Sequence, residues 1–131
     1  MTIRTDAIQG LIDYINAETG IAGTRGLRFL HEINDFPSFY IHPGAENRSH
    51  FGAGHKLCII DLDVRAYAFT DSETEKELLA RQLETCIQQY RFINRAIEEA
   101  RVTSISTDEG VMSPYGVCDI SAQILYRIYK Q

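Results

Sequence analysis

The sequence predicts an α+β fold: one mainly antiparallel sheet of about four strands, with two helices packed on one of its faces. Three observations predict it. Two segments, 5–18 and 72–90, carry apolar residues at three- and four-residue spacing. Residues 55–69 alternate strictly between an apolar and a mixed set. Residues 101–107 and 116–129 read as a closing hairpin around a glycine- and proline-bearing turn.

In the first helix Ile8, Leu11, Ile12 and Ile15 form one stripe. Thr5 or Asp6 is placed to cap its start, and Gly20 falls just past its end, where a left-handed residue is commonly needed. Residues 20–26 read as a loop. Residues 27–33, LRFLHEI, fit a short helix or an irregular strand equally well. Pro37 opens a short strand, SFYIH, with Phe39 and Ile41 on one face. Residues 43–54, PGAENRSHFGAG, have neither periodicity and read as a long surface loop of the kind that carries function.

The run at 55–69 is the strongest strand. Cys58, Ile60, Leu62, Val64, Ala66 and Ala68 make a uniformly apolar face that should pack on the helices. Leu57, Ile59, Asp61, Asp63, Arg65, Tyr67 and Phe69 make the other. The second helix opens with a capping box, Ser72 followed by Glu75, and its stripe is Leu79, Leu83, Cys86, Ile87 and Tyr90. Residues 91–100 read as a connection. In the last strand Cys118, Ile120, Ala122, Ile124, Tyr126 and Ile128 share the core face.

A chain of 131 residues suits one domain over 1–131 with a core of its own. The net charge of −5 gives no overall basic face for gripping phosphates. Cys58, Cys86 and Cys118 are far apart, form no CxxC pair and fall on apolar phases, so they read as reduced, buried thiols. The start of the chain shows no signal-peptide pattern, and no apolar stretch is long enough to span a membrane. GxSxG, GxGxxG and phosphate-loop motifs are missing. His50 and His55 flank a glycine-rich loop without the ligand spacing of a zinc site. No cofactor is indicated.

Asp61, Asp63 and Asp119 can share one face of neighbouring strands. Clustered carboxylates of that kind hold magnesium in nucleases. The plainer reading is a polar sheet face, with Arg65 and Arg127 as ion-pair partners. The same face also holds Leu57, Ile59, Tyr67, Phe69, Leu125 and Tyr129. So many apolar groups on an uncovered face point to burial against a partner.

Two segments carry a family resemblance: EINDFPSFYIHPGAENR at 32–48 and ISTDEGVMSPYGVCDISAQILYR at 105–127. Together, with a long strand and one helix between them, they resemble the tail terminator, or tail completion, proteins of long-tailed bacteriophages. The resemblance implies a structural virion protein and no catalytic residues. It implies a homo-hexameric ring that caps the head-proximal end of the tail tube, stops tube growth and docks the neck or head-completion protein. Genomic DNA would pass through the lumen unbound. Such a protein would be assembled in the host cytoplasm and reside at the tail–neck junction. Another neck or head-completion ring protein is the nearest alternative. A metal-dependent nuclease using Asp61, Asp63 and Asp119 is the alternative from a different class.

A ring needs a heterologous interface that closes on itself. Glu46, Asn47, Arg48 and Phe51 in the long loop, and Asp108, Glu109 and Tyr115 in the closing turn, are the expected contacts with subunits or partners. Asp61, Asp63 and Asp119 are the expected acidic lining of the lumen, since a like-charged wall repels phosphates.

Overall fold

A computed structural model of the chain describes residues 3–26, 36–51, 55–70, 72–108, 111 and 114–128. In chain order its elements are α1 (Ile3–Thr19), β1 (Ala22–Arg25), β2 (Ser38–Phe51), β3 (His55–Ala68), α2 (Glu73–Ile93), β4 (Ile97–Thr107) and β5 (Gly116–Ile128). The strands form one sheet in the order β1-β2-β3-β5-β4. Only β1 and β2 run parallel; the other neighbours are antiparallel. The architecture is the expected α+β, with five strands instead of four.

β3 is the middle strand, and its alternation decides where the core lies. Ile60 stands opposite Ile124, Leu62 opposite Ala122 and Val64 opposite Ile120. Opposed residues share a face, so β3 and β5 present one apolar wall. Leu11 and Ile15 of α1 and Leu83 and Ile87 of α2 close over it, all fully buried. The helices meet at Tyr90, whose hydroxyl donates to the Ala7 carbonyl at 2.7 Å and whose ring stacks on Tyr14. Gly10 of α1 passes so close to that hydroxyl that a Cβ there would collide with it.

The helix ends follow local chemistry. Ser72 caps α2, its hydroxyl accepting from the Glu75 N–H at 3.4 Å. α2 runs on to Ile93, further than its stripe suggests. α1 begins at Ile3, so Thr5 and Asp6 lie in its first turn and do not cap it. Gly20 adopts φ +74 just after α1, and its N–H bonds back to the Asn16 carbonyl at 2.8 Å.

Three readings of the sequence change. Residues 20–26, expected as a loop, contain β1, a strand of four residues defined by its parallel pairing with Ser38–Ile41. Residues 43–54, also expected as a loop, are mostly strand: β2 continues to Phe51, paired with β3 as far as His55. The long edge of β3 supplies partners for backbone groups that would otherwise need water. Pro43 and Gly44, which suggested the loop, fall in a bulge between Pro43 and Glu46, where the ladder is interrupted anyway. The connection at 91–100 is the end of α2, a short turn and the first residues of β4. The ambiguous segment 27–33 lies outside the described residues. None of the described helices is long and apolar enough to cross a membrane.

Leu83 is fully buried between α2 and the sheet, whereas Phe92 is 70% exposed. Leu83→Ala is expected to lower unfolding free energy by about 2–5 kcal/mol in urea titration, and Phe92→Ala to leave it almost unchanged. Equal effects would show that the assigned core phase of α2 is wrong.

Candidate interface surfaces

The sheet face away from the helices is set by the same alternation. On β3 it carries Leu57, Ile59, Asp61, Asp63, Arg65 and Tyr67, opposed on β5 by Arg127, Leu125, Gln123, Ser121, Asp119 and Val117. Its centre is polar and internally paired. Arg65 grips Asp119 through two bonds, at 2.6 and 3.2 Å. Gln123 donates to Asp61 at 2.9 Å. Asp63 lies opposite Ser121 and is exposed. The three aspartates therefore do not converge. Asp119 is matched to Arg65, and Asp61 lies two rungs further along. Among the described residues no group of three His, Cys, Asp or Glu side chains is placed to hold a metal ion. The nuclease geometry finds no support there.

Both ends of this face are apolar. Leu57 and Ile59 lie near Leu125 at one end, beside the Arg127–Glu98 ion pair at 2.6 Å. At the other end Tyr40, Tyr67 and Val117 are buried together, with Phe36 packed on them. Burial pushes the Tyr40 hydroxyl above its ordinary pKa. Phe36 stacks on Tyr115 at 5.3 Å, and Phe69 meets Tyr115 edge-on at the same centroid distance. Tyr115 thus joins a cluster in which the Phe36-Pro37 segment and the Pro114-Tyr115-Gly116 segment, remote in sequence, come together.

The outer half of the β2–β3 hairpin holds Glu46, Asn47, Arg48 and Phe51. Glu46 is only 13% exposed and points to the helix side. It accepts from the Tyr126 hydroxyl and from Arg48 at 2.7 and 2.9 Å, with Arg4 of α1 at 3.8 Å. Arg4 also donates to the Gly44 carbonyl at 2.9 Å. Burial alone would raise the Glu46 pKa. The bonds from Tyr126 and Arg48 outweigh it and hold the carboxyl below its ordinary value. Glu46 is thus an internal tie between α1, the bulge and β5. Asn47 and Arg48 are exposed. The side chain of Phe51 lies outside the described residues.

In the closing turn Asp108 also faces inward. It binds the Lys76 ammonium at 2.9 Å and accepts from the Val117 N–H at 3.2 Å. Lys76 is fully buried, with Glu73 as its second partner at 2.5 Å. The bond to Glu73, reinforced by Asp108, holds Lys76 above its ordinary pKa. A Cβ at Gly116 would strike the Lys76 stem and the Thr70 carbonyl. Glu109 lies outside the described residues. Cys118 donates to the Lys76 carbonyl at 3.1 Å, and burial lifts its thiol to about 11. With Cys58 and Cys86 it is a free, buried thiol, as its phase in the sequence implied.

Lys76, Tyr126 and Arg4 were missed as site residues. The signal for Lys76 was present: it shares the helical phase of Leu79, Leu83 and Tyr90, which are buried with it. Tyr126 lay on the core face already, but its partner Glu46 sat in a supposed loop.

Comparison with known proteins adds a family. The profile described as Bacteriophage Tail Tube Terminator Protein matches residues 9–131. A curated relative, tail tube terminator protein p142 of Escherichia phage T5, is 25% identical over 129 residues, covering 88% of this chain and 80% of its own. A solved chain from the virion of a native gene transfer agent particle superposes with a TM-score of 0.61 and covers 92% of both chains. At 8% identity that likeness concerns the fold alone.

The Glu46 tie has a pH signature. Its folded pKa is lowered, so its contribution is present above the ordinary value of 4.5 and is lost as pH falls through the folded value. The thermal midpoint of the native protein should exceed that of Glu46→Gln at pH 7, and the gap should shrink below about pH 4.5. A gap independent of pH would show that the carboxylate's charge is not what ties these elements. In the closing turn, Asp108→Ala should destabilise more than Glu73→Ala, because Glu73 is half exposed and Asp108 is not.

Proposed function

Because this chain belongs to the bacteriophage tail tube terminator family, we propose that it forms a homo-hexameric ring on the head-proximal end of the tail tube. The family makes it a structural protein of the virion and not an enzyme. In the proposal, residues 1–131 form one terminator domain. One side of the ring ends tube growth by covering the last ring of tube protein. The other receives the neck or head-completion protein. Assembly takes place in the host cytoplasm, and the finished ring sits at the tail–neck junction.

The observation that carries this reading is the family match along residues 9–131. The physical support is a sheet with helices on one face and a half-apolar surface on the other. Such a surface gains by burial against a neighbour, and a repeated heterologous contact closes into a ring when its rotation allows.

Among the expected contact residues Asn47 and Arg48 are exposed. Asn47 and Arg48 project from the hairpin, with Phe51 further along the same strand, and Glu46 fixes the hairpin's position from inside. Asp108 anchors the closing turn, which offers Glu109 and Tyr115 to a neighbour. Asp61, Asp63 and Asp119 lie on the open face and line the lumen in this proposal. Asp63 is the most exposed of the three and the least occupied by internal bonds. A wall of this charge lets DNA slide past without phosphate contacts.

Reconstruction of the virion is expected to place six copies of the chain at the head-proximal end of the tube. Any other symmetry or position overturns the assignment. Virions carrying Asp63→Lys should assemble, eject DNA more slowly and show a stronger dependence of ejection on salt. Unchanged ejection would remove Asp63 from the lumen. Asn47→Ala with Arg48→Ala should leave the fold intact and reduce the yield of joined particles.

A further inference from the structure

Helix α2 has unlike poles. Near its N-terminus a groove of about 460 Å³ opens between Leu78 and Leu79 of the helix and Phe36, Pro37 and Phe69 at the end of the sheet, with Glu75 on its rim. Such a volume lies in the range of pockets that hold small ligands or inserted side chains. Leu78 and Phe69 are more than 60% exposed. At the C-terminal pole Phe92 and Ile93 stand in solvent, at 70% and 58% exposure. The Arg91 guanidinium lies 4.5 Å above the Phe92 ring, and Arg95 follows in the exposed turn.

The charge placement suits the helix dipole, but the dipole gives no reason to leave Phe92 and Ile93 in water. Scattered exposed apolar residues are ordinary. Here, though, an apolar pair with two cations occurs on the same helix as an apolar groove with an acid, Glu75, on its rim. The two features lie about 20 Å apart along the axis at ~1.5 Å per residue. They also open to different sides: Phe92 borders β4 at Glu99–Val102, and the groove borders the Phe36–Phe69 end of the sheet. One protomer therefore cannot fill its own groove.

We propose that the groove takes Phe92 and Ile93 of a second copy of this chain, with Arg91 of that copy against Glu75. The contact is head-to-tail, because each copy uses one pole as donor and the other as acceptor. Contacts of that class propagate and close into rings. The inference rests on the ring reading above and names the surface that builds the ring.

Native mass spectrometry and electron microscopy of the full-length protein test it. Leu78→Glu blocks the groove and Phe92→Glu blocks the donor. Both positions are exposed, so both variants should keep the native circular dichroism spectrum. The wild type is expected to form closed rings at high concentration. Each variant alone should stay monomeric, and their equal mixture should give a 1:1 heterodimer that grows no further. Glu75→Arg and Arg91→Glu provide a second route: each weakens assembly alone, and the pair together restores it. Rings formed by Leu78→Glu protein, or a mixture that yields no heterodimer, overturn this contact and leave the ring reading standing. A wild type that forms no rings in solution or on tube ends overturns both.

Discussion

Pairing β3 with β2 on one side and β5 on the other gives alternate residues of one strand opposite duties. One set, from Cys58 to Ala68, becomes the floor on which both helices rest. The other becomes a face that no helix reaches. Slipping the register by one residue would send Ile60, Leu62 and Val64 into solvent and bring Asp61 and Asp63 under the helices. Burying two unpartnered carboxylates is so unfavourable that this register is strongly specified. The helices, the bulge and the closing turn all take their positions from it.

Where periodicity is strong, the sequence was readable. The alternation of β3 and β5 and the stripe of α2 identified most buried residues of those elements, but not Tyr67, Lys76, Ala80, Val117 or Leu125. The capping box placed the start of α2 within one residue. What escaped is what long-range pairing alone decides. Ala22–Arg25 has no strand pattern of its own and is extended because Ser38–Ile41 lies beside it. Pro43 and Gly44 are genuine breakers, but a bulge absorbs them and the strand resumes. A lysine in a helix reads as solvated, so the burial of Lys76 became legible only by following the phase of its neighbours.

The expected contact residues divide along the same line. Glu46 and Asp108 were chosen as charges in exposed segments, yet both point inward and hold buried cations or hydroxyls. Their segments carry the resemblance to the terminator family, as do Phe36, Pro37 and Tyr115. In this chain those signature residues act mainly as joinery. The Phe36 and Tyr115 rings stack across the sheet end, and Asp108 and Gly116 close around Lys76. A family signature therefore marks how the domain is held together at least as much as what it touches. The exposed positions Leu78 and Phe92 lie outside both segments and are where partner choice can vary.

The ion pair at the base of the closing turn anchors the start of that turn. Asp108 is fixed by Lys76 and by the Val117 N–H, and Gly116 is held by its pairing with Ala68. The chain between them is clamped at both ends irrespective of its own sequence. Lengthening a loop whose ends are already held adds only a slowly growing entropic cost, about 0.6 kcal/mol for each doubling. A change of length between these anchors should therefore leave the sheet standing and act instead on the contacts proposed for Glu109 and Tyr115.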